Sequence, residues 1–236
     1  GLRNNGSIEA LKNYIPDNLH KKLTKQACPT TLLTYIHKES LKNQESNKNR
    51  KLLAFNAAFD RSSHRFGSKK EDLLRVLATS VKSAQDMGWK IDLVAHKYQD
   101  LEIEKFLLDK DLDYEIRDLT DSEPKAIIEY YSNVDFVFGM RGHAQMIPFG
   151  LGKPILSIIS HDKMKFFLED IDHLDWGVEI EDEKIEQQLI KSLKFYESNK
   201  QKIDIQLKFA QENIRKETAE NMNNIKTHLK GTKSNA

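Results

Sequence analysis

The chain has 236 residues, enough for one or two domains and a sizeable core. Its 37 Lys and Arg offset 36 Asp and Glu, a formal charge of +1, so no overall field draws it to nucleic acid or an anionic membrane. A single cysteine, Cys28, excludes an internal disulfide and a four-cysteine zinc site, and it fits a reducing, cytoplasmic location.

No apolar run reaches the roughly 18 residues of a transmembrane span, and no signal peptide is recognisable. The first residue is Gly1, inside what reads as a motif, so a fragment that follows an upstream domain is expected.

The spacing of Ser7 to Tyr14 predicts a helix capped by Ser7 and ending near Pro16. Pro29 to Ile36 is short, apolar and Thr-rich. Lys38 to Arg50 is polar, charged and linker-like, which sets a boundary near residue 50. After it, apolar runs alternate with amphipathic stretches. Strands are predicted at Leu52–Phe59, Lys90–Ala95, Tyr114–Leu119, Asp135–Gly139 and Pro154–Ser160. Helices are predicted at Glu71–Met87, stopped by Gly88, and at Leu101–Leu108. Two more follow, at Ser122–Tyr131 with Ser122 as cap and at about Gly142–Leu151.

From Asp182 to about Lys230 the chain reads as one charged helix without Pro or Gly. The alternation argues for an α/β fold, a Rossmann-like parallel sheet with helices on both faces, plus a long C-terminal helix. Three parts follow: a connecting segment, 1–50; the sheet domain, 51–181; and a helical extension, 182–236.

In an open parallel sheet, ligands bind beyond the C-terminal strand ends. That rule selects the loops at Asp60–Ser68, His96–Asp100, Thr120–Glu123, Met140–His143 and Ser160–Lys163. The strand DFVFG runs into Met140-Arg141-Gly142-His143 and then a helix, whose N-terminus favours anions. Arg141 and His143 add charge-assisted donors there, and Gly142 admits close approach. The blander reading has His143 cap the helix and Arg141 pair with a carboxylate.

Lys163 ends the next strand's loop, and neighbouring strand ends lie about 5 Å apart, so it reaches toward the same ligand. His161 is a second histidine candidate in that loop. Arg61, with His64 and Arg65, suits an anion, although a solvated loop explains them as well. Arg3, before the first helix, is a further cation. The sequence holds no G-x-G-x-x-G, no P-loop, no H-E-x-x-H, no metal-spaced Cys/His cluster and no G-x-S-x-G.

The stretch from Ile128 to Trp176, with FVFGMRGHAQMIPFGLGKPILSIISHDK, resembles the polysaccharide pyruvyl transferase family. That family shows R-x-H after a strand, an apolar helix, a G-x-P strand and an Asp-Lys element. Here these are Arg141, His143, Gly152, Pro154, Asp162 and Lys163. GLRNNGS at the start resembles the family's connecting segment. Two positions depart from the pattern. Gly142 stands where a bulkier aliphatic residue is usual, and Ala27-Cys28-Pro29 keeps the family's Pro without its Asp.

The resemblance implies the C-terminal half of a GT-B-like enzyme, with an N-terminal domain as its partner and the active site between the halves. It implies pyruvyl transfer from phosphoenolpyruvate to hydroxyls of a glycan or lipid-linked saccharide, peripheral to the inner membrane face. His143 and Lys163 would be catalytic. Arg3, Arg141, Gly142, Arg61 and His161 would bind substrate. No metal and no cofactor beyond the donor is expected. The alternatives are a nucleotide-sugar glycosyltransferase of the same fold and a non-catalytic interaction module working through the C-terminal helix.

Overall fold

The computed structural model describes residues 2–36, 51–59, 66–108 and 111–232, the side chains as far as 227. The linker stretch 38–50 and the basic loop residues Arg61, His64 and Arg65 lie outside the described residues.

Among the described residues six strands form one sheet: β1 (Leu52–Asn56), β2 (Lys90–Ala95), β3 (Tyr114–Asp118), β4 (Phe136–Gly139), β5 (Ile155–Ile159) and β6 (Gly177–Glu179). Their order is β3-β2-β1-β4-β5-β6 and every pairing is parallel. The chain builds outward on one side of β1, then crosses to β4 on the other. Asn56 pairs with Gly139, so the two strands end side by side where the order reverses. That reversal point is where doubly wound sheets bind ligands.

Eight α-helical segments surround the sheet among the described residues: α1 (Asn5–Lys12), α2 (Asp17–His20), α3 (Leu33–Ile36), α4 (Lys70–Asp86), α5 (Pro124–Ser132), α6 (His143–Gly150), α7 (Asp162–Asp170) and α8 (Ile185–Thr232). Alternation along β1 splits the core. Leu53 and Phe55 face one side with Leu74, Leu77 and Val81 of α4. Leu52 and Ala54 face the other with Tyr131 of α5, Phe149 of α6 and Phe167 of α7. Both faces are therefore covered, and strands buried on two sides read as continuous apolar runs.

The last helix serves both layers. Ile185, Leu189, Leu193 and Tyr196 join the first core, and Leu207, Ala210 and Ile214 the second. Asn199 between them has non-helical backbone (φ −132°, ψ 27°), and its side-chain amide donates to the Phe195 carbonyl at 2.8 Å. Ile203, past that break, still packs in the first core, so the helix changes face between Ile203 and Leu207.

The predicted elements shift in detail. Asn4, not Ser7, caps α1: its Oδ1 accepts the Ser7 N–H at 2.8 Å. Helix α5 begins at Pro124 after Glu123, and Ser122 instead donates to the Asp118 carbonyl. The helix expected at Leu101–Leu108 is a 3-10 helix, Tyr98–Phe106, begun early because Asp100 folds back onto the His96 and Lys97 amides. Gly88 stops α4 with φ +84°, a conformation L side chains rarely adopt. Strand β6 was not expected; three residues are too few to show alternation.

Candidate functional site

Four strand ends contribute to one cavity of about 460 Å3 at the reversal point. Ala58 follows β1, His96 and Lys97 follow β2, Met140 to His143 follow β4, and Ser160, His161 and Lys163 follow β5. The N-terminal segment closes it with Arg3 and Asn4. Leu2 is held to the chain at 24–26, with its N–H on the Thr24 carbonyl (2.9 Å) and its carbonyl taking the Gln26 N–H (2.7 Å). That bridge delivers Arg3, distant in sequence, to the rim.

Arg3, Arg141, Gly142, His143, His161 and Lys163 thus line a single cavity. Its described lining also holds His96 and Lys97, and it contains no Asp or Glu. In a chain whose charges balance to +1, that segregation of cations is local. Arg61 lies outside the described residues.

The floor is a buried polar knot. The Asp100 side chain is wholly buried and takes Arg141 Nε on both oxygens, at 3.0 and 2.7 Å. The same carboxylate accepts from Asn56 Nδ2 (3.0 Å) and from the backbone N–H of His96 (3.0 Å). Asn56 Oδ1 in turn accepts the Arg141 N–H at 3.1 Å. The ends of β1, β2 and β4 are therefore tied together through one carboxylate. A buried charge is tolerated only when its lone pairs are satisfied in this way. Of the two sequence readings of Arg141, the guanidinium carries out the carboxylate pairing.

Helix α6 is seated tightly. Gln145 is fully buried, donates to the Gly139 carbonyl at 3.1 Å and accepts from Ser157 Oγ. His143 opens the helix as an exposed residue, and Gly142 precedes it with ordinary helical φ of −54°. A Cβ at Gly142 would meet nothing within 4 Å. Neither backbone strain nor packing asks for glycine there, so the space it leaves belongs to the cavity.

On the other wall His161 caps α7, its Nδ1 accepting the Lys163 N–H at 3.1 Å. Lys163 is exposed at the start of that helix, a position the helix dipole disfavours for a cation.

His96 was passed over in choosing residues from the His96–Asp100 loop. Its ring stacks on Tyr131 at 5.9 Å, and Nε2 lies 2.8 Å from the Tyr131 hydroxyl. Burial pushes its pKa down to about 4, with Asp100 pulling the other way and His143 and Arg141 adding to the depression. It is a neutral ring in the cavity wall at pH 7. Asn56 and Asp100 were also missed. The signal for Asn56 was present, a lone amide inside the apolar run LLAFNAAF.

Fold and site define a doubly wound α/β protein with a cation-lined cavity at the reversal of strand order. The chain belongs to the polysaccharide pyruvyl transferase family, whose model matches residues 1–162. No curated protein and no solved structure gives a significant match. The family match takes in Arg3, Arg141, His143 and His161 and ends one residue before Lys163. No helix among the described residues is long and apolar enough to cross a membrane.

Proposed function

We propose that the cavity binds phosphoenolpyruvate and that the chain supports transfer of its pyruvyl group to saccharide hydroxyls, forming a ketal. The observation that carries this reading is a lining with Arg3, Lys97 and Lys163 and no carboxylate, over an Arg141 paired with the buried Asp100. The donor bears a carboxylate and a phosphate, so it needs several cations around it.

In the proposed reaction a proton reaches the methylene carbon of the enol, which leaves an oxocarbenium-like centre. One sugar hydroxyl attacks that centre and loses its proton. The carbon–oxygen bond to phosphate then breaks, phosphate departs, and the second hydroxyl closes the ketal with loss of its own proton.

His143, exposed at the cavity mouth, exchanges these protons, the role for which imidazole is the commonest side chain. Lys163 and Arg3 hold the donor's anionic groups, and Arg141 acts through Asp100 to fix the loop that carries His143. A GT-B-like second domain, carrying the acceptor saccharide, is part of the same proposal and rests on the family resemblance alone.

The test is thermal unfolding with phosphoenolpyruvate, and separately with UDP- and GDP-sugars. A ligand at 100 times its dissociation constant adds about 2.7 kcal/mol. Stabilisation by phosphoenolpyruvate, lost in His143→Ala and Lys163→Ala, is expected. Stabilisation by a sugar nucleotide alone would replace the proposal with a glycosyltransferase.

A further inference from the structure

We infer that Asn221 of the C-terminal helix is a positioning residue for Arg3: with Glu217 and Thr218 it clamps Lys25 and Gln26, whose stretch of chain holds Leu2 and so sets where Arg3 stands at the cavity rim. The inference deepens the proposed function, which gives Arg3 its hold on the donor.

Arg3 is exposed and stands outside any helix or strand. A long side chain on such a stretch binds an anion well only where its backbone is already held, because ordering it on binding costs affinity. Here the backbone is held on both sides. After Arg3, Asn4 is buried and caps α1. The Asn5 N–H donates to Asp170 of α7 at 3.3 Å, and a Cβ at Gly6 would fall 2.4 Å from the Phe166 ring of the same helix. Before Arg3, the one support is the bridge from Leu2 to residues 24–26. Two short extended segments are marginal on their own.

Helix α8 supplies what the bridge lacks. Asn221 Nδ2 donates to the Lys25 carbonyl at 2.5 Å and to Gln26 Oε1 at 3.2 Å. Gln26 Nε2 donates onward to Thr218 Oγ1 at 3.3 Å. Lys25 Nζ meets Glu217 Oε2 at 2.8 Å and Asp170 at 3.7 Å, so one lysine ties α8 to α7. Residues 217, 218 and 221 share one face of the helix. That face is fixed just upstream, where Ala210 and Ile214 are in the second core and Gln211 donates to the Phe149 carbonyl of α6 at 2.6 Å. The clamp therefore refers Arg3 to α6 and α7, the two helices that open on the cavity with His143 and Lys163. Asn221 and Thr218 are not in the cavity lining, so their reach into it passes through the segment they hold.

Calorimetry with phosphoenolpyruvate tests this in the full chain. Asn221→Ala removes no charge, and affinity should fall about three- to tenfold, the range for ordering one long side chain afresh. Asn221→Leu keeps the volume and removes the hydrogen bonds, so it should match Asn221→Ala; wild-type affinity in it would overturn the inference. A double-mutant cycle separates positioning from general loosening. In an Arg3→Ala background Asn221→Ala should cost nothing further, whereas in Lys163→Ala it should cost as much as in the wild type. A loss that persists without Arg3 would sink the positioning role.

Amide hydrogen exchange forms an arm that needs no ligand. The Gln26 N–H, 2.7 Å from the Leu2 carbonyl, should lose protection in Asn221→Ala, while the Val137 N–H in the sheet keeps its own. Unchanged protection at Gln26 would overturn the clamp. A wild-type chain that does not bind phosphoenolpyruvate would count against the proposed donor, and the exchange result would still decide the clamp.

Discussion

The two ends of the sheet differ in a way that cavity size does not reveal. At the N-terminal ends of β1, β2 and β3 lies the larger hollow, about 640 Å3. It carries both signs of charge, and several of these are paired. Arg117 Nε meets Asp92 at 3.1 Å, and Lys51 meets Glu197 at 2.6 Å, where Trp89 also donates to Glu197 at 3.0 Å. At the C-terminal ends the smaller cavity has cations and histidines in its lining without a carboxylate, while Asp100 sits beneath it. Charges that satisfy each other hold a fold together. A lining of one sign suits an anion, and the reversal of strand order places that lining where helix N-termini also point.

The largest test of this contrast removes one acid from each end. Asp100→Ala leaves Arg141, Asn56 and two backbone N–H groups without their acceptor and should cost about 3–5 kcal/mol in urea unfolding. Asp92→Ala should cost about 1 kcal/mol, because Arg117 is 41% exposed and regains water. Equal losses would erase the distinction between the two ends.

Acid provides the next test. His96 in the folded chain titrates near 4 because it is buried, against about 6.5 when unfolded. Between those values the unfolded state binds more protons, so stability should fall as pH drops from 6.5 to 4, by about 3 kcal/mol. In His96→Gln that part of the pH dependence should vanish from unfolding curves measured across the window. An unchanged slope would mean that some other group supplies it.

Smaller effects separate binding from folding. Lys163→Ala should weaken phosphoenolpyruvate about 10- to 100-fold in calorimetry, the range for one hydrogen bond to a charged group, with little change in Tm. Glu115→Ala at the opposite end should leave the affinity unchanged. Gly142→Ala is the finest probe. The added methyl enters open space, so stability should stay within about 0.5 kcal/mol of wild type while donor affinity drops. Unaltered affinity would show that the ligand does not use that space.

Some of the site was legible early, for identifiable reasons. Strand DFVFG followed by Arg-Gly-His and an apolar helix is a local pattern, and the strand-end rule turns it into a location. His143 and Lys163 were reached that way. His161 was reached too, but its Nδ1 is engaged as the cap of α7, a contact that depends on the backbone two residues on. Asn56, Asp100 and His96 were missed because each matters through a partner far along the chain. Asp100 lies 41 residues from the Arg141 it holds, and His96 lies 35 from Tyr131.

The amino-acid sequence by itself determined the parallel α/β architecture, five of the six strands and the loops in which the cations collect. It did so because apolar runs, helix periodicity and glycine stops are local signals. Tertiary structure alone decided which of those cations meet. It brought Arg3 to the rim through a bridge to residues 24–26, and it pressed the turn after Cys28 against the backbone of α6 at Gly150. It committed Arg141 to Asp100, and it divided the long C-terminal helix between two cores, changing face between Ile203 and Leu207. These contacts join distant segments, and whether they form depends on how closely packed backbones approach, a quantity that no spacing along the chain records.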